Sequence, residues 1–141
     1  MPRRQPIRHR RGPPGSVRII GGGWRGRRVE VLDGAELRPT PDRVRETLFN
    51  WLTPGLAGAR CLDLYAGTGV LGLEALSRGG AECWFVERDA RLAAALEATL
   101  LRFTGQGSTG PGGAPARGRV LVTDALRWLD RPPLSTFDVV F

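Results

Sequence analysis

An α/β fold built on a parallel, doubly wound sheet is predicted by three observations. From residue 60 onward, short apolar runs alternate with helical patterns, strand then helix, to the last residue of the 141. Gly67, Gly69 and Gly72, spaced G-x-G-x-x-G, join the first of these strands to its helix. Asp63, Glu87 and Asp124 then put an acid at or near the ends of three consecutive strands. In a sheet of this type, ligands bind beyond the carboxyl ends of the strands.

Each element follows from its local pattern. Residues 1–15 (MPRRQPIRHRRGPPG) carry four Pro and two Gly with scarcely an apolar side chain, which predicts a disordered basic arm. Residues 16–32 (SVRIIGGGWRGRRVEVL) alternate at Val17, Ile19 and again at Val29, Val31, so two short strands joined by a glycine-rich bend are expected. The segment 38–52 (RPTPDRVRETLFNWL) predicts a helix with Thr40 as N-cap, Pro41 in the first position and Asp42 complementing the positive end. Val44, Leu48, Trp51 and Leu52 would form its inner face. Arg43, Arg45, Glu46 and Asn50 would face solvent, and Pro54-Gly55 would end the helix.

Strands are then expected at 60–65, 82–87, 119–124 and 137–141, with helices at 70–77, 89–103 and 125–129. Residues 104–118 hold six Gly and two Pro and predict a flexible surface loop. The organisation expected is a basic arm (1–15), a hairpin and helix (16–53) and a sheet-based core (54–141).

Charge is distributed unevenly. Residues 1–28 contain nine Arg and no acid, whereas the remaining 113 contain twelve Arg against fourteen Asp and Glu; the chain has no Lys. An arginine-only arm ahead of a near-neutral body suits phosphate, onto which the guanidinium forks. Trp24 stands among Arg18, Arg25, Arg27 and Arg28, where an aromatic could stack on a base; packing on its own hairpin is the competing reading. His9, the only histidine, lies in the arm and is assigned no catalytic role. Cys61 and Cys83 fall within apolar strands and read as buried thiols, not as a metal or disulfide framework. No apolar run approaches a membrane span and no secretory signal is visible, so the expected compartment is the cytoplasm.

By itself the glycine spacing is a weak signal of nucleotide binding. Asp63 sharpens it, because a carboxylate four residues before the first glycine would repel a pyrophosphate and attract a cationic group. The amino-acid end of S-adenosylmethionine is such a group. Glu87 suits a ribose diol and Asp124 an adenine amino group, with a helix N-cap as the alternative for Asp124. S-adenosyl-L-methionine is therefore the first reading of the cofactor and a nicotinamide dinucleotide the second.

The segments RIIGGGWRGRRVEV, LRPTPDRVRETLFNWL, CLDLYAGTGVLGLEALSRG, VERD and TDALRWL together resemble the bacterial 16S rRNA guanine-N2 methyltransferase family of RsmD type, from about residue 17 to 141. The resemblance implies a class I, Rossmann-like methyltransferase sheet preceded by a short hairpin and helix. It implies that Asp63, Ala66, Gly67, Thr68 and Gly69 form the cofactor loop, that Glu87 binds the ribose, and that Asp124 and Ala125 lie on the adenine side. Arg38, Thr40 and Arg43 would close over the cofactor and face the substrate, alongside Arg18, Trp24, Arg25, Arg27 and Arg28.

The family follows its fourth strand with an Asp-Pro-Pro-Phe/Tyr loop that carries the acceptor chemistry, and this sequence ends at Phe141, before such a loop. It thus reads as the N-terminal part of the fold, with no catalytic residue assigned within 1–141 and negligible turnover expected of the chain alone. The partner expected is 16S rRNA or the small ribosomal subunit, met by a monomer. The alternatives are a non-catalytic RNA-binding remnant and, more distantly, an NAD-dependent oxidoreductase.

Overall fold

The structure, a computed structural model, describes residues 15–32, 40–105, 117–131 and 136–141. The basic arm up to residue 14, Arg38 and most of the glycine-rich segment lie outside the described residues.

Strands β1 (Ser16–Arg18) and β2 (Arg28–Glu30) form an antiparallel hairpin in which Val17 faces Val29. Helix α1 (Asp42–Leu56) follows, then β3 (Arg60–Asp63), α2 (Val70–Ser77), β4 (Glu82–Glu87), α3 (Ala90–Thr104), β5 (Arg117–Val122), α4 (Ala125–Leu129) and β6 (Val139–Val140). The last four strands make one parallel sheet in the order β5-β4-β3-β6. Chain order reverses between β4 and β6 on either side of β3, which puts the switch point of the sheet at the carboxyl end of β3.

β3 and β4 are covered on both faces, which is why they read as continuous apolar runs. Cys61, Cys83 and Phe85 face one cluster, shared with Ile19, Trp24 and Val29 of the hairpin segment, Phe49 and Leu56 of α1, Leu73 of α2, and Leu96 and Phe103 of α3. Leu62 and Val86 face a smaller cluster with Ala125, Trp84, Trp128 and Phe137. The hairpin and α1 thus share a core with the sheet. Burial pushes the Cys61 thiol up to about 11, helped by the charge of Asp138, and pushes Cys83 up as well, so both stay protonated.

Four expectations are corrected. α1 starts one residue later than Thr40 would set it, since Pro41 occupies the N-cap and no side chain caps the helix. It also runs through Pro54 to Leu56, whose complete burial keeps the last turn wound. Its inner face is rotated: Arg45, Phe49 and Leu56 are buried, whereas Val44 and Trp51 are 54% and 76% exposed. Finally, β5 begins at Arg117, inside the segment read as a loop. Gly118 permits this, because a β-carbon there would lie 2.5 Å from Leu100 Cδ2 of α3.

Candidate functional site

The site lies where β3, β4 and β5 end. β3 finishes in Asp63, whose side chain is almost fully buried and whose Oδ2 accepts from Gly72 N at 3.2 Å. Burial raises this carboxyl to about 7; the Gly72 hydrogen bond opposes the rise and the nearby charge of Glu87 adds to it. The chain then turns through Leu64, exposed Tyr65 and Ala66 into Gly67 and Gly69, with φ of +56° and +77°, conformations that favour glycine. Gly69 caps α2, and a β-carbon there would lie 2.3 Å from Leu96 Cδ1; at Gly72 one would lie 2.3 Å from the Phe85 ring. Thr68 Oγ1 accepts from Val70 N. The second and third glycines therefore seat α2 against α3 and β4, and the first leaves its amide pointing across the sheet end.

That amide meets Glu87. Gly67 N donates to Glu87 Oε2 at 2.7 Å, and Asp89 N donates to Oε1 at 3.0 Å. A carboxylate offers about four acceptor positions, so two remain for another donor. Among the described residues, no arginine nitrogen lies within ion-pair distance of Glu87. Asp124, at the end of the turn after β5, caps α4 by accepting from Leu126 N and Arg127 N through Oδ1. The N-cap alternative for Asp124 is thus realised.

Between these acids lies a cleft of about 240 Å3 lined by Leu64, Tyr65, Val86, Glu87, Arg88, Thr123, Asp124 and Ala125. Apolar walls with two carboxylates at the rim suit a flat heterocycle bearing a hydroxylated sugar. Of the residues singled out in the sequence, Glu87, Asp124 and Ala125 line it. Asp63, Ala66, Gly67, Thr68 and Gly69 do not line it; they form the end of β3 and the turn into α2. Tyr65, Arg88 and Thr123 were missed; only their adjacency to the strand-end acids could have signalled them.

The arginine-rich segment divides. Arg25 and Arg43 are exposed, Arg18 pairs with Asp42 at 3.1 Å, and Arg28 donates to Ser16 Oγ. Half-buried Arg27 donates to the Phe103 carbonyl, and the Thr40 carbonyl accepts from Arg45. Trp24 is corrected: it is 2% exposed and packs edge-on against Phe103, with ring centroids 5.2 Å apart, so its ring cannot take a base. The glycines around it serve this burial. A β-carbon at Gly22 would fall 1.9 Å from the Ser77 carbonyl oxygen, and Trp24 N donates to Ser77 Oγ.

The chain is 61% identical over 75 residues to Ribosomal RNA small subunit methyltransferase D of Escherichia coli K12, a stretch covering 53% of this chain and 38% of that protein. It is 54% identical over 86 residues to the protein of the same name from Haemophilus influenzae, covering 61% and 45%. The chain thus spans less than half the length of these two relatives. The solved Escherichia coli protein yhhF superposes with a TM-score of 0.72 at 40% identity, covering 89% of this chain and 62% of that one. The fold is the class I, Rossmann-like methyltransferase sheet. The family described as Conserved hypothetical protein 95 matches residues 17–141, and the chain belongs to that family, the RsmD type.

Proposed function

We propose that the chain binds S-adenosyl-L-methionine in the cleft and that the protein methylates the exocyclic N2 of a guanine in 16S rRNA. The observation that carries this reading is Glu87, held by Gly67 N and Asp89 N at the switch-point end of the sheet, with acceptor capacity left for a ribose diol. The donor set fits the cofactor: carboxylates for its hydroxyls and amines, apolar surface for its adenine, and no cation paired to Glu87 among the described residues.

In this reading Glu87 takes the ribose hydroxyls, Asp124 the adenine amino group beside Ala125, and Val86 and Leu64 contact the ring. Asp63, Ala66, Gly67, Thr68 and Gly69 shape the loop that receives the amino-acid end. Bound S-adenosylmethionine supplies an electrophilic methyl on a sulfonium. The protein's part is orientation, which brings the guanine amine into line with that methyl and excludes water. Exposed Arg25 and Arg43, with Arg18, Arg27, Arg28 and Thr40, would face the rRNA or the small subunit, where guanidinium groups neutralise phosphates.

Calorimetric titration of the chain with S-adenosylhomocysteine, with NAD as competitor, tests the cofactor. Binding that NAD does not displace is expected. RNA affinity without S-adenosylhomocysteine affinity would leave a non-catalytic RNA-binding protein. Incubating the protein with methyl-labelled cofactor and 16S rRNA, then digesting to nucleosides, tests the acceptor; label on any position other than guanine N2 overturns that part.

A further inference from the structure

A buried charge cluster lies outside the cleft. Arg45 of α1 and Glu74 of α2 are both fully buried, with Arg45 Nη1 3.4 Å from Glu74 Oε2. Glu74 also accepts from Ile20 N at 3.0 Å, from Gly21 N at 2.9 Å and from Arg78 Nε at 3.0 Å. Arg45 in turn donates to the Arg18 carbonyl at 2.8 Å, to the Thr40 carbonyl at 3.0 Å and to the Asp42 carboxylate. One guanidinium and one carboxylate thereby tie the hairpin segment, the entry to α1 and the middle of α2.

This tie is directional. Ser77, in the last turn of α2, already holds the glycine-rich bend through Trp24 N, Gly21 O and Gly23 N, so the hairpin has a separate anchor. The entry to α1 has no side-chain cap of its own. Its Thr40 carbonyl and Asp42 carboxylate are held by Arg45. Helix α2 is only eight residues, ~12 Å long, and it starts at the glycine loop. A displacement at Glu74 is therefore carried rigidly to Gly69 and Gly67, and so to the amide that holds Glu87.

We propose that Arg45 is a positioning residue for cofactor binding: through Glu74 it sets where the entry to α1 stands relative to the glycine loop. The inference rests on the cofactor reading above. A guanidinium is required because its fork donates to carbonyls and carboxylates at once, which an ammonium on a flexible stem does not reproduce. A merely structural Arg45 would stabilise the fold and leave the affinity of folded molecules unchanged.

The test is calorimetric titration of the whole chain with S-adenosylhomocysteine, compared across variants whose folded fraction is measured by circular dichroism. R45M/E74Q removes both buried charges while Gln keeps an acceptor for the Ile20 and Gly21 amides, which favours folding. R45K keeps the charge without the fork. L56A cuts a fully buried side chain in the last turn of α1, three turns from Arg45, and serves as a control for lost stability. The expected result is a Kd raised at least tenfold in R45M/E74Q and about threefold in R45K, with L56A within twofold of wild type. Variants that bind within twofold of wild type, or an L56A that weakens binding as much, overturn the inference and leave the cofactor reading standing. A wild-type chain that does not bind S-adenosylhomocysteine overturns both.

Discussion

Glu74 and Glu87 are two carboxylates that do the same local job in different surroundings. Each accepts two backbone N–H groups, Glu74 from Ile20 and Gly21 and Glu87 from Gly67 and Asp89. Glu74 is fully buried and faced by two guanidinia, whereas Glu87 stands half-buried at the rim of the cleft. A buried carboxylate needs its charge compensated from within the protein, and what compensates it also exhausts its acceptors. A rim carboxylate retains water and spare lone pairs, so it can exchange water for a ligand's hydroxyls. What separates the two acids is burial, not the residue type or the backbone partners.

The comparison breaks most sharply at Glu74. Replacing it in E74A leaves the Arg45 guanidinium buried without its carboxylate and two amides without an acceptor. Urea unfolding should show a loss of ~3–5 kcal/mol, the cost of orphaning one member of a buried pair. A loss below ~1 kcal/mol would mean that water reaches the cluster.

Asp63 offers an intermediate case: it is buried like Glu74, but its partner is the Gly72 amide and, among the described residues, no cation pairs with it. Its folded-state pKa of about 7 lies above the ordinary 3.8, so between these values the native state binds more protons than the unfolded one. Its contribution to stability is fully present below about pH 4 and is lost as pH rises through about 7. D63N keeps an acceptor for Gly72 N and does not ionise. Its stability relative to wild type should therefore rise between pH 4 and pH 7.5, by roughly 3–4 kcal/mol. A flat difference across that range would show that Asp63 is ionised in the folded protein.

The smallest effect on stability is expected at Glu87. E87Q retains one acceptor oxygen at an accessible position, so unfolding should change by less than ~1 kcal/mol. Affinity for S-adenosylhomocysteine should nevertheless fall about tenfold, or ~1.4 kcal/mol. Unchanged affinity in E87Q would remove the distinction between the two acids as drawn here.

Much of the fold was legible along the chain. The alternation of strand and helix after residue 60 placed α2 at Val70–Ser77 and α4 at Ala125–Leu129, and β4 at Glu82–Glu87. The hairpin was expected from Val17 and Val29, which face each other across it. Glu87 was likewise visible as a strand-end residue, and Gly72 as a point of close helix–sheet packing; Asp124, expected to end its strand, stands two residues beyond β5 as the N-cap of α4. The inner face of α1 was not, because Arg45 was sorted outward by its charge and Trp51 inward by its size.

By itself, the sequence determined the properties that depend on neighbours a few residues away. Strand and helix periods, the turn that only glycine enters readily at Gly67 and Gly69, and an acid's position at the end of a strand are all of this kind. The tertiary structure alone decided which side chains lost their water. Arg45 could be buried only because Glu74 waits 29 residues on. Trp24 left the solvent because Ser77 and Phe103 form its seat, and Gly118 joined a strand because Leu100 of α3 passes close to it. Desolvation of a charge or a ring is settled by partners distant in sequence, and a pattern read along the chain has no term for them.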